Sequence, residues 1–254
     1  VSPDPPIYVS YLGVPTRHRR LLRVAVPGAL WALVVVAAVW AFGQRDPGDA
    51  VWDDAHLRTF TGLYVHRPYP MLSADDRGDG TPGVMLLVEV GKHGVTRVPA
   101  ELDGQRVRAQ GWLLVRDGRT MIELDPESTP RPERGPSDGA AIAEVSLRAT
   151  PTGRVTLRGE IVDFKCFLGA MKPGSGKSHK ACAALCVRGG VPPVMVARGA
   201  DGSVAYFLLQ SADAGPAASL VQPFVGDDVE LVGDSSTLGD LRLVALEPGA
   251  IRRR

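Results

Sequence analysis

Cys166, His179, Cys182 and Cys186 are the residues of this sequence whose types and spacing could do chemistry. They are all of its cysteines and one of its five histidines, spaced C-x12-H-x2-C-x3-C. Thiolates and imidazole are the ligands that zinc, copper and iron–sulfur centres take. Ser178 reads as an N-cap, His179–Val187 as a short Ala-rich helix, and Gly189-Gly190 as its stop. On such a helix His179, Cys182 and Cys186 share one face. Cys166 completes a Cys₃His metal set if the intervening loop folds the helix back over it. In a tetrahedral centre the ligand atoms stand roughly 3.3 to 4 Å apart. The three sulfurs and one imidazole nitrogen are therefore expected within about 5 Å of one another. Two other readings stay open. In an oxidising compartment Cys166 could form a disulfide with Cys182 or Cys186, pinning the loop of a cofactor-free scaffold. A redox-active thiol pair is disfavoured, because neither C-x-x-C nor a thioredoxin-like βαβ pattern is present.

The same segment is rich in cations. Lys165, Lys172, Lys177, Lys180 and Arg188 gather around the cysteines, opposed locally by Asp163 alone. Cations favour a neighbouring thiolate, and they equally form a face that contacts an acidic partner or anion. MKPGSGKS comes close to a phosphate loop, but Met171 stands where the first Gly belongs, and no metal-holding partner strand follows. Gly174 and Gly176 read as turn residues.

These side chains need a scaffold, and the chain beyond residue 50 carries one pattern twice. The first copy runs through Phe60–Val65, Val84–Gly94 and Leu102–Leu124. The second runs through Leu157–Cys166, Val194–Leu209 and Val225–Leu246. Both have the frame apolar-Gly-x-apolar, a central hairpin, then V-x-h-x-G and a strand–turn–strand ending. Asp117-Gly118, Asp201-Gly202 and Gly239-Asp240 read as hairpin turns. The fold class is mainly β: an N-terminal transmembrane helix followed by two tandem small OB-like β-barrels. The first barrel is expected over residues 43–124, with HRPYPMLSADDRGDGTPG (residues 66–83) as a loop. A Pro-rich charged linker begins at Asp125–Asp138 within 125–150. The second barrel spans 151–254 and carries the Cys/His insertion at 166–193.

Val24–Phe42 holds no charge over nineteen residues, about 28 Å of helix, with Pro27 in its first turn and Trp40 near its far end. Arg17, Arg19, Arg20 and Arg23 precede it; Asp46, Asp49, Asp53 and Asp54 follow. The positive-inside rule puts residues 1–23 in the cytoplasm and the barrels outside, on a bacterial cytoplasmic (inner) membrane.

Composition narrows the function. The 254 residues carry 29 Lys and Arg against 28 Asp and Glu, and only 6% are aromatic. A near-neutral chain without a basic stacking groove is no nucleic-acid binder. With 44% apolar residues it is not disordered, and 29 glycines with 21 prolines favour short strands and turns. No G-x-S-x-G elbow or H-E-x-x-H helix marks an enzyme. His56, His66 and His93 read as ordinary β-segment histidines, and Asp53-Asp54 and Asp75-Asp76 as solvated turns.

The run G-x-I-V-D-x-x-C…K-P-G-x-G-K-x-H-x-x-C-A-x-x-C…G-G-x-P-P, from Gly159 to Pro193, resembles the signature of a group of uncharacterised bacterial single-span membrane proteins. The basic tail and single span resemble that group too. The resemblance implies an architecture and no reaction. By layout alone the chain is also similar to periplasmic haem chaperones of cytochrome maturation, which hang one β-barrel from an N-terminal span. Their haem-attaching His followed by Tyr has no counterpart here. The expected function is thus that of an extracytoplasmic accessory protein holding a metal or redox centre. It would serve electron transfer or the assembly of a membrane redox enzyme, with a protein partner in that membrane.

Overall fold

The computed structural model describes residues 14–43, 49–133, 148–199 and 201–254. Two units are described separately, one ending at Asp46 and one running from Pro47 to Arg254. The first holds helix α1 (Thr16–Gly43). Its stretch His18–Gly43, in which an 18-residue window reaches a mean hydropathy of 2.2, is long and apolar enough to cross a membrane. The helix begins earlier than the apolar run, because Arg and Leu between residues 17 and 23 are good helix formers. Pro27 consequently lies inside the helix rather than in its first turn.

In the second unit the repeat is real. Strands β1 (Val51–Val65), β2 (Met71–Ala74), β3 (Gly83–Val88), β4 (Arg106–Arg116) and β5 (Arg119–Leu124) close in the order β1-β2-β3-β5-β4-β1. Strands β7 (Thr150–Asp163), β8 (Pro193–Arg198), β9 (Val204–Ser211), β10 (Asp228–Leu238) and β11 (Leu241–Leu246) close in the same order. Each ring has one parallel contact, β3 with β5 and β9 with β11. A short outer strand lies on the fourth strand of each: β6 (Arg131–Pro132) on β4, and β12 (Ile251–Arg253) on β10. The fold is two OB-like barrels.

The shared glycines have a steric cause. A Cβ on Gly62 would sit 2.1 Å from the Ser73 carbonyl oxygen, and one on Gly159 would sit 2.0 Å from that of Val196. Here the long first strand of each barrel bends against the second, and only glycine allows the approach.

Two expectations change. Residues 66–83 are not all loop: they contain β2, four residues too few to show periodicity. The segment Val84–Gly94 is therefore the third strand plus a connection, not a hairpin matching Val194–Leu209. Part of the expected linker, Arg131–Pro132, is strand β6, with Glu133 bonded to Arg106 at 2.8 Å. Residues 134–147 of that stretch lie outside the described residues.

Strand alternation distributes three cores. Met85 and Leu87 point into the first barrel with Tyr64, Leu72 and Ile122. Ile161, Met195, Leu209 and Val244 fill the second. The opposite faces, Val84, Leu86 and Val88 from one barrel and Val194, Val196 and Leu208 from the other, meet in one shared cluster. Strands buried on both faces read as continuous apolar runs, here VMLLV and PVMV.

Candidate metal centre

The insertion lies between β7 and β8, where the first barrel has only residues 66–70. It leaves β7 through Phe164 and Lys165, makes one wide helical turn (Cys166–Ala170), and re-enters through helix α2 (Lys180–Arg188). The turn is anchored by Phe167, whose ring lies 3.9 Å under the Arg116 guanidinium and whose carbonyl accepts from Arg116 Nη1 at 3.0 Å. Cys166, Phe167, Leu168 and Cys186 are buried in the shared cluster. His179, not Ser178, occupies the cap position of α2, and its side chain caps nothing. Its ring is engaged elsewhere. Gly189 and Gly190 end α2 as expected, Gly190 with φ 97°.

Asp163, the last residue of β7, organises the site. It is fully buried. Its Oδ1 accepts the Cys166 backbone N–H at 2.8 Å, and its Oδ2 lies 2.9 Å from His179 Nε2. A carboxylate on one ring nitrogen fixes the imidazole's tautomer and leaves the other nitrogen free to act as a ligand. Ligand atoms of Cys166, His179 and Cys182 lie within 4.8 Å of one another, as do those of Asp163, Cys166 and Cys186. The helix thus does fold back over Cys166. The four foreseen ligands form two triads sharing Cys166 rather than one set of four, and the second triad includes a carboxylate. A Cys/His group able to hold a metal ion is present.

All three cysteines are free thiols. Cys166 is raised well above the ordinary thiol pKa, first by its hydrogen bond with Cys186 and then by burial. Cys186 is lowered, first by that same bond. A Cys166 thiol that donates to the Cys186 sulfur accounts for both directions.

Two contributors come from outside the cysteine segment's own pattern. Lys92, from the β3–β4 connection of the first barrel, places its Nζ 2.7 Å from Cys182 Sγ. Hydrogen bonding to that sulfur raises the lysine pKa. Met171 Sδ lies 3.7 Å from the same sulfur. The Lys92 connection is clamped on the insertion: the Gly94 N–H donates to the Gly189 carbonyl at 2.9 Å. A Cβ on Gly189 would fall 2.0 Å from the Lys92 carbonyl oxygen. The centre therefore sits between the barrels.

The foreseen cations divide. Lys165 is 4% exposed and donates to the carbonyls of Glu89 (2.8 Å) and Gly91 (2.7 Å) and to Glu123 Oε1 (3.1 Å). It ties the barrels together and is not on the surface. Lys180 pairs with Asp227 at 2.6 Å. Lys172, Lys177 and Arg188 are exposed and have no ion pair among the described residues.

The other candidates stay apart. His56 pairs with Asp53 at 2.6 Å, His66 with the Tyr64 hydroxyl at 3.0 Å, and His93 is exposed. Asp75 is bound to Arg106. A groove of about 540 Å³ on the second barrel holds no cysteine or histidine, and its charges, such as Arg154 and Asp234 at 3.4 Å, pair with each other. Neither a family model nor a curated relative matches the chain.

Proposed function

We propose that this chain is a membrane-anchored accessory protein with its barrels outside the cytoplasm. It holds a metal ion through Cys166, His179 and Cys182, with Cys186 hydrogen-bonded to Cys166 beside them, and serves electron transfer or assembly of a redox enzyme in the same membrane. The observation that carries the reading is the Cys166–His179–Cys182 triad with a buried carboxylate on the histidine. Burying the Asp163–His179 pair costs free energy that a cation bound by the imidazole and the neighbouring thiols offsets. The long apolar helix α1 supports the anchor. Unpaired Lys172, Lys177 and Arg188 support an acidic partner docking near the centre.

Metal analysis with thiol titration tests this on the full chain purified in detergent micelles without chelator. About one metal ion per chain is expected, with metal lost in Cys182→Ala. A metal-free chain with only one titratable thiol would overturn the metal reading in favour of the disulfide-pinned scaffold.

A further inference from the structure

We infer that Met171 is an additional, solvent-side ligand of this centre, and that the resident ion is a soft monovalent one, copper(I). The inference rests on the metal reading above and names its ion.

Met171 is held over the cysteines by backbone geometry. Gly169, with φ 134°, closes the wide turn so tightly that a Cβ there would lie 2.8 Å from the Val51 carbonyl carbon. Gly174, with φ 68°, brings the chain back until its Cβ position is 2.5 Å from the Cys166 carbonyl oxygen. Between these two reversals Met171 is extended, with its sulfur 3.7 Å from that of Cys182. Its side chain fills no core, for the residue is 44% exposed. An exposed thioether beside a thiol adds little by packing and supplies a soft donor.

Thioethers bind copper(I) well, whereas zinc takes thiolate, imidazole and carboxylate. The centre also has an open side. A cavity of about 260 Å³ is lined by Trp52, Val90, Lys92, Cys166, Met171 and Cys186. Structural zinc sites are closed by four protein ligands; this one gives an ion a path in past Met171. A monovalent ion on two or more thiolates leaves net negative charge, and the Lys92 ammonium 2.7 Å from Cys182 Sγ offsets it.

Full-length chain in micelles, reduced and anaerobic, is titrated with copper(I) and with zinc(II) against chromophoric chelators, comparing native protein with Met171→Leu. The replacement is exposed and close in volume, so folding is unaffected. Copper(I) affinity should fall about tenfold or more in Met171→Leu, with zinc affinity unchanged. Equal copper(I) affinity in the two proteins would overturn the role of Met171 while leaving a metal centre in place. Loss of both metals' affinities together would assign Met171 a structural role and also overturn the inference. If native protein binds neither ion, the centre itself falls, and this inference with it.

Discussion

Asp163 does two jobs with two oxygens: one holds the Cys166 backbone, the other the His179 ring. Replacing it by Asn keeps the shape and removes the charge that fixes the imidazole. Metal affinity in Asp163→Asn should fall about 10- to 100-fold with little change in fold, as measured by chelator competition and circular dichroism. Unchanged affinity would mean that His179 is not a ligand. The cysteines and His179 were legible because helical spacing aligns three of them and the fourth closes the apolar run of β7, although the strand itself stops at Asp163 and Cys166 begins the wide turn beyond it. Lys92 and Met171 were not. Lys92 sits some ninety positions away in the other repeat, where no periodicity ties it to a thiol. Met171 read only as a defect in a phosphate loop. Asp163 stood in plain view as the one acid among five cations, but its partner could be known only once β7 and α2 were packed together. Lys165 shows the opposite failure, a charge counted as surface that three acceptors drew inside.

At the scale of elements, the decisive contact is α2 against the β3–β4 connection. Gly94, Gly189 and Gly190 let two backbones touch: a Cβ on Gly94 would lie 2.3 Å from the Gly190 carbonyl oxygen. Gly189→Ala should therefore push the connection off α2 and carry Lys92 away from Cys182. Overpacking of this kind costs about 1 to 3 kcal/mol, readable as a lower urea midpoint, and metal affinity should fall with it. A variant with native midpoint and affinity would show that the connection adjusts freely and that Lys92 is dispensable. The Gly189-Gly190 pair was legible as a helix stop, while its service as a docking surface was not, because one residue type serves both ends. The two OB-like barrels could be inferred from the doubled Gly frame, which the bend of β1 and β7 explains, but their strand order could not. Strand β2 escaped because four residues between a Pro-rich turn and a charged loop are too short to alternate visibly.

At the scale of the whole molecule, the runs VMLLV and PVMV say that these strands are buried on both faces, so neither barrel is complete alone. Leu86→Ala, made in the first barrel, should cost about 2 to 5 kcal/mol and speed amide exchange in β8 and β9 of the second. Exchange accelerated only in the first barrel would show two independent folding units. The orientation of this body depends on the other unit. Four arginines lie before the uncharged run Val24–Phe42 and four aspartates soon after it. A helix inserts so that its basic flank stays in the cytoplasm, and that choice decides whether the thiols meet a reducing or an oxidising solution. A reporter fused after Arg254 and active only after export should be active, and a cytoplasm-only reporter at the same place should be silent. Replacing Arg17, Arg19, Arg20 and Arg23 by Asn should reduce the difference between the two. Cytoplasmic activity of the native fusion would instead put the cysteines where thiols stay reduced. Export would then be removed from the functional reading, while the metal site, built from contacts within the barrels, would stand.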